Sequence, residues 1–269
     1  MPIVDLAPEH LEAYFHCLVP DGPEAKLGRA RKAAWYETMA PRGLVVKLAV
    51  EAGVPVGMVQ AVPVEQSFVV GRGLYVVLCI WVRKVKDAIG DHRHKGLGTA
   101  LLTALEDEAR RRGATGVAAW GLTMPFFMRA RWFEKHGYTP ADRNGMAVLL
   151  WKRFRDEAEP PRWMRERKPV PLVPGKATVT CFANGWCAFQ NVATERARAV
   201  TAELGDRAVY REISCVESEA MREWGRSDDI YIGERLVSRG PPPSEAKLRR
   251  MLRREAFGPW WRRAFSRPG

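Results

Sequence analysis

The stretch Gly90–Gly113, GDHRHKGLGTALLTALEDEARRRG, decides how the first half of this 269-residue chain is read. Two glycines and a basic loop run directly into an amphipathic helix. Leu97, Leu101, Leu105 and Ala109 fall on one face of it. Arg110 to Arg112 complement the C-terminal end of its dipole, and Gly113 is placed to end it. At its start, Arg93-His94-Lys95-Gly96-Leu97-Gly98 reads R-x-x-G-x-G. Glycines let the backbone turn tightly, so that amides 94–99 face inward at the positive end of the helix dipole. Such a nest suits a pyrophosphate; a surface helix entered through a glycine turn is the plain alternative. Neither common nucleotide loop is present. G-x-x-x-x-G-K-[ST] is missing, and the third glycine of G-x-G-x-x-G would fall at Leu101.

Working outward, GLYVVLCIWV (73–82) is too apolar to have a wet face and is placed in the middle of a sheet. Before it, 44–62 reads as a hairpin turning at Gly53–Pro55, and 8–40 as helical. After the quoted helix come a strand at 116–121, a helix at 125–137 and a strand at 146–154. Helical crossovers on a sheet make an α/β domain over 1–154.

An apolar strand ending in LCIWV, the R-x-x-G-x-G loop and helix, a strand, then a helix carrying ARWFEKHGYTP closely resemble the GNAT superfamily of acyl-CoA N-acyltransferases. The resemblance implies a mixed, mostly antiparallel central sheet flanked by helices. It also implies acetyl-CoA as cosubstrate and an amine acceptor, in a small molecule or a peptide. The loop binding the coenzyme A pyrophosphate would be Arg93, His94, Lys95, Gly96, Leu97, Gly98 and Thr99. The backbone of Cys79, Ile80, Trp81 and Val82 would hold the pantetheine arm and polarise the thioester. The tyrosine that many members use to protonate the leaving thiolate falls at Phe133, which lacks the hydroxyl but keeps the position beside the cofactor.

Amine attack requires loss of a proton from the nitrogen and a donor for the developing oxyanion. Glu65, in AVPVEQSF before the central strand, is the candidate base, with a solvated loop carboxylate as the alternative. Tyr75, four residues before Cys79, is a second candidate, with a core strand tyrosine as the alternative. His92 and His94 flank Arg93 with no carboxylate or thiol set around them, and read as phosphate contacts or solvated side chains.

Residues 155–176 carry five prolines and ten charges and read as a linker. Beyond it, 177–256 reads βαβββα, a small second α/β domain. Its TVTCFANGWCAFQN places Cys187 at the start of a helix, where a helix dipole activates a thiol. This resembles the thioredoxin-like layout, although Gln190 stands where a C-x-x-C partner would be and Cys181 is left as a substitute. With NGWC, DDIYIG and GPPPS, the chain resembles GNAT proteins with a YoaP-like C-terminal domain. Two other readings follow: a thiol-directed protein using Cys187 with the front domain as a coenzyme A module, or a non-catalytic coenzyme A-binding regulator.

The net charge is +12, and residues 245–269 hold eight Lys/Arg against two Asp/Glu. The basic, aromatic tail 257–269 leaves nucleic acid open as a partner, though no nucleic-acid module pattern occurs and a basic terminal helix is simpler. Five scattered cysteines (Cys17, Cys79, Cys181, Cys187, Cys215) exclude a disulfide framework or zinc site, and no metal is expected. The absence of a long apolar run or signal-like N-terminus predicts a cytoplasmic protein with no membrane partner, as a monomer or dimer.

Overall fold

The run of β-branched and apolar residues over 45–82 pairs with itself, and the first unit of the fold is built on that pairing. The computed structural model of the chain describes residues 1–19, 21–84, 90–124, 127–238 and 242–258. Its contacts divide it into two units, residues 1–14 with 37–164, and residues 15–36 with 165–269. No described helix is long and apolar enough to cross a membrane.

In chain order the first half holds β1 (Ile3–Asp5), α1 (Leu11–His16), α2 (Pro23–Met39), β2 (Val45–Glu51), β3 (Val54–Pro63), β4 (Val69–Val70) and β5 (Leu74–Val82). It continues through α3 (Leu97–Arg111), β6 (Gly116–Leu122), α4 (Ala130–Glu134), β7 (Thr139–Asn144), β8 (Ala147–Arg153) and β9 (Arg162–Trp163). Seven strands form one sheet in the order β1-β2-β3-β5-β6-β8-β7. Only β5 and β6 are parallel, so the sheet is mixed and mostly antiparallel, as the resemblance implies. The hairpin read around residues 53–55 is β2–β3, and the apolar run is β5, in mid-sheet.

Helix α3 covers one face. Leu97, Leu101, Leu105 and Ala109 are buried in the same cluster as Val59, Val77, Ile80 and Leu150. Gly113 takes φ +79, which lets the Ala114 N–H return to the Ala109 carbonyl at 2.9 Å and closes the helix. Lys47 on β2 is only 5% exposed beneath α3. Its Nζ lies 2.6 Å from Asp5 Oδ1 and 3.4 Å from Glu108 Oε2. Arg111 and Arg112 also hold Glu108, so one buried network ties β1, β2 and α3.

Several expectations are corrected. The helix read over 8–40 is broken: a short 3-10 turn and α1 end at Cys17, and α2 restarts with Pro23 in its first turn. Of the helix expected at 125–137, residues 125–126 lie outside the described residues and the described part is α4 alone. Strand β7 was not read because its TPADRN is an exposed edge without alternation. Within the proline-rich segment, β9 pairs with β4, and Phe68 stacks on Trp163.

The second unit holds β10 (Ala177–Ala183), α5 (Ala188–Ala202), β11 (Ala208–Ser214), α6 (Ser218–Trp224), β12 (Asp229–Ile232), β13 (Arg235–Ser238) and α7 (Glu245–Phe257). Its sheet order is β11-β10-β12-β13; β10 and β11 are parallel, and the other two pairs antiparallel. The order is βαβαββα rather than βαβββα, because the seven-residue α6, with Ala, Met and Trp alone apolar, is too short to show a period. Residues 15–36 add a helical layer. Asn191 Nδ2 donates to the Gly28 carbonyl at 3.1 Å, and Arg31 reaches Glu195 and Glu212 at 2.5 and 2.6 Å. Residues 259–269, most of the basic tail, lie outside the described residues.

Gly121 on β6 lets α4 close on the sheet, since a Cβ there would stand 2.6 Å from the Cα and N of Ala130. Gly121→Ala is expected to lower stability by about 1–3 kcal/mol in a denaturant titration. Gly22→Ala, where a Cβ meets nothing within 4 Å, should stay within about 0.5 kcal/mol of the parent.

Candidate functional site

The parallel pairing of β5 with β6 runs only from Leu74–Gly116 to Val77–Ala119. Beyond it β5 follows β3 alone. The register slips between Gln60↔Cys79 and Ala61↔Val77, leaving Leu78 as an inserted residue. Two side chains secure this bulge. Trp120 on β6 reaches across, its indole Nε1 donating to the Leu78 carbonyl at 3.0 Å. Gln60, 1% exposed, accepts from the Tyr14 hydroxyl at 2.7 Å.

The alternation then decides which backbone groups face the gap. Arg83 N–H donates to the Val56 carbonyl at 2.8 Å, so Trp81 and Cys79 also turn their amides to β3. Ile80 and Val82 therefore turn theirs toward the side that β6 has left. Side chains divide the other way: Ile80 and Val82 pack on the α3 cluster, while Cys79 and Trp81 lie on the opposite face. Cys79 is buried, and the Trp81 Nε1 is a buried donor with no acceptor among the described residues.

The loop before α3 is shaped as a nest. His94 and Gly96 have φ of +62 and +78, and Gly96 caps the helix. The first bond inside the turn is from Ala100 N–H to the Gly96 carbonyl, so the amides of Leu97, Gly98 and Thr99 have no intrahelical acceptor. His94, Lys95, Gly96 and Thr99 are exposed, while Leu97 is buried as part of the stripe. Gly98 has a second reason to be glycine: a Cβ there would stand 3.3 Å from the Trp132 ring.

Arg93 is differently engaged from what the motif implies. Asp91 accepts from its backbone N–H at 2.9 Å and from its guanidinium at 2.5 to 3.0 Å. The guanidinium holds the Asp91 carboxyl well below the usual carboxylate range. The pair is close to neutral, so the positive field of the nest comes from the helix end and Lys95. His92 is buried rather than solvated, with Nδ1 3.2 Å from Glu51 Oε2.

A link unseen in the sequence steadies the nest. Thr99 Oγ1 lies 2.9 Å from His136 Nε2, and His136 Nδ1 lies 2.7 Å from the Trp132 carbonyl. A carbonyl only accepts, so Nδ1 carries the proton and Nε2 accepts from Thr99. Phe133 is fully buried against Trp132 and Tyr138, with no wetted surface for a cofactor. Tyr138 is buried as well, and burial and Glu106 push its pKa well above the usual value.

The candidate bases lie at the other end of β5. Pro63 pairs with Tyr75, and Glu65 follows as the exposed residue of a 3-10 turn. The Tyr75 hydroxyl accepts from Arg112 at 3.4 Å, at the C-terminal end of α3 and far from the nest.

In the second unit Cys187 is the N-cap residue of α5, as expected, and the Asn191 N–H donates to its carbonyl at 2.9 Å. Burial nevertheless pushes the thiol up to about 12, opposing the activation that a helix N-terminus gives. Cys181 is fully buried in β10. Near Cys187 lies Asp228, which accepts from Asn184 N–H and from the Ser227 hydroxyl, both at 3.3 Å, and whose carboxyl burial pushes up to about 7.

Residues 7–138 match the model of the acetyltransferase (GNAT) family. Solved structures similar to the chain include an aminoglycoside 6'-N-acetyltransferase from Enterococcus faecium, 16% identical over 59% of this chain and 100% of that one, with a TM-score of 0.41. A GNAT-family acetyltransferase from Staphylococcus aureus is 12% identical over 57% and 99% of the two chains, with a TM-score of 0.42. The PaiA N-acetyltransferase of Thermoplasma acidophilum, solved with coenzyme A, is 12% identical over 57% and 100%, with a TM-score of 0.40. No curated protein matches the chain. Over residues 7–138, just under half of the chain, the sequence is thus similar to the GNAT acetyltransferase family.

Proposed function

We propose that the chain is a cytoplasmic N-acyltransferase that moves an acetyl group from acetyl-CoA to a primary amine in a ternary complex. The observation that carries this reading is the departure of β5 from β6 after Val77, beside a helix whose first amides have no intrahelical acceptor. The amides of 94–99 and Lys95 would take the pyrophosphate, and the amides of Ile80 and Val82 the pantetheine arm. The amine attacks the thioester carbon, a β5 amide meets the oxyanion, and collapse expels the thiol. Glu65, at the end of β5 remote from the nest, takes the amine proton. Tyr75 serves the core. Phe133 supplies no proton, so the thiolate is protonated by another donor or by water.

The domain limits of this proposal are 1–154 for the acetyltransferase, 155–176 for the linker and 177–256 for a thioredoxin-like domain of YoaP type. The strand order β11-β10-β12-β13, with α5 crossing between the parallel pair, supports the last.

Acetyl-CoA at 100 times its Kd should stabilise the protein by about 2.7 kcal/mol, read as a rise in thermal midpoint that NAD does not give. Lys95→Glu should abolish the rise. Asp91→Asn frees Arg93 and should tighten acetyl-CoA binding a few-fold, an effect that salt weakens. Glu65→Gln should lower kcat/KM on the order of 100-fold.

The raised Asp228 pKa has its own consequence. Below about pH 4 both folded and unfolded chains hold this proton. As pH rises toward 7 the unfolded chain releases it first, so this group's stabilising contribution is progressively lost. Asp228→Asn should gain in unfolding midpoint relative to the parent across that window and run parallel to it above.

A further inference from the structure

The cradle read above uses the backbone of β5 and the start of α3. The side chains that border the gap on the face away from α3 take no part in it. On β5 these are Cys79 and Trp81, with Trp81 opposite Met58 of β3. On β6, Val117 and Ala119 belong to the α3 cluster, so Trp120 is rooted on the other face, as Trp81 is, and lays its indole across the gap to the Leu78 carbonyl. One tryptophan thus stands on each bank. Past β6 the chain adds further apolar surface. The Leu122 N–H donates to the Met128 carbonyl, and the Thr123 N–H donates at 3.0 Å to the carbonyl of Met146, in the turn between β7 and β8. Met124, Phe127 and Met146 are therefore gathered around the end of β6, all three exposed, and the Phe127 ring centroid lies 6.4 Å from that of Trp120.

Two features of this lining select a ligand. None of Cys79, Trp81, Trp120, Met124, Phe127 and Met146 is charged. An additional ammonium group brought against them would lose water with no carboxylate to meet it, whereas an aromatic body would remove apolar surface from water on both sides. Exposed large apolar side chains gathered in one place mark a contact surface. The second feature is polar. The Trp120 indole is committed to Leu78, but the Trp81 Nε1 is a buried donor with no acceptor among the described residues. Leaving such a donor unpaired costs free energy that a ligand oxygen restores.

We propose that this face takes the acceptor, and that the acceptor is an α-amino amide with an aromatic side chain: one primary amine, one apolar body, and a carbonyl oxygen close to the amine. The inference rests on the acetyl-transfer reading and narrows its amine. The aromatic body packs against Trp81 and Trp120 with Phe127 and Met146 at its rim, and its carbonyl accepts from the Trp81 indole. The neutral amine then stands at the gap. Its nitrogen attacks the thioester carbon, the N–C bond forms, the C–S bond breaks, and the proton given up by nitrogen ends on the coenzyme A thiol. Amines with several positive charges are poor acceptors.

The test is kcat/KM of the full chain at saturating acetyl-CoA, read by chromatography of the acetylated product. The amines are phenylalanine amide, glycine amide without the apolar body, phenethylamine without the carbonyl, and spermidine with several charges. Phenylalanine amide should exceed glycine amide and spermidine at least about tenfold. Phenylalanylglycine amide run alongside tells a free amino amide from a peptide end, and either as the best acceptor supports the inference. Trp81→Phe keeps a ring and removes the donor, and should lower the ratio of phenylalanine amide to phenethylamine several-fold. Met146→Asp, at a residue 58% exposed, places a carboxylate on the rim and should move the preference toward spermidine. Spermidine or glycine amide as the best acceptor, or unchanged ratios in both variants, would overturn the inference while sustaining acetyl transfer. Calorimetric titration of phenylalanine amide into the coenzyme A-bound chain separates the remaining case. Binding with no amine acetylated contradicts the transfer reading and supports the site; no binding overturns the site.

Discussion

The parallel contact between β5 and β6 lasts four residues, and the proposed acetyl-CoA site depends on its stopping there. A parallel ladder that continued would consume the amides of Ile80 and Val82 and leave no gap. The inserted Leu78 turns the strand out of register with β3, and its carbonyl is satisfied by the Trp120 indole rather than by backbone. The bulge thus costs no orphaned acceptor at Leu78, although it interrupts the ladder in the middle of a sheet. Gln60, bonded to Tyr14, fixes the residue opposite Cys79.

What keeps α3 aimed at this gap is largely apolar, with one buried ionic anchor. The stripe from Leu97 to Ala109 removes four side chains from water. Lys47 beneath the last turns pairs with Asp5 and Glu108, and Glu108 with Arg111 and Arg112. Only Lys47 and Glu108 are buried in it, and removing either leaves the other as a buried charge, a loss of about 3–5 kcal/mol in comparable cases. The N-terminal end is held more lightly, through Thr99 and His136, which leaves its amides available. Rigidity is concentrated at one end of the helix and unsatisfied donors at the other.

The parts of this arrangement legible in the sequence are those with a strong local signal. The α3 stripe, the wholly apolar β5 and the glycines at 96 and 98 each declare themselves within a dozen residues. The bulge at Leu78 does not, because it is defined by a partner strand. Trp120 reads as one more apolar strand residue until its indole is seen to cross the gap. Arg93 reads as a phosphate ligand because the motif places it there; its engagement by Asp91 depends on the turn between them. His92 reads as a loop residue, but its burial beside Glu51 depends on β2. The polar edge strand β7 and the short α6 carry no period to detect.

The central claim is that the gap beside β5 and the nest before α3 act together as one cradle for acetyl-CoA. Amide hydrogen exchange of the full chain, followed by mass spectrometry with and without acetyl-CoA, tests it most directly. The account predicts slowed exchange in peptides covering 79–83 and 93–100, with little change over β7, β8 and the second unit. Unchanged exchange in those two segments at saturating acetyl-CoA, or protection confined to other parts of the chain, would contradict it.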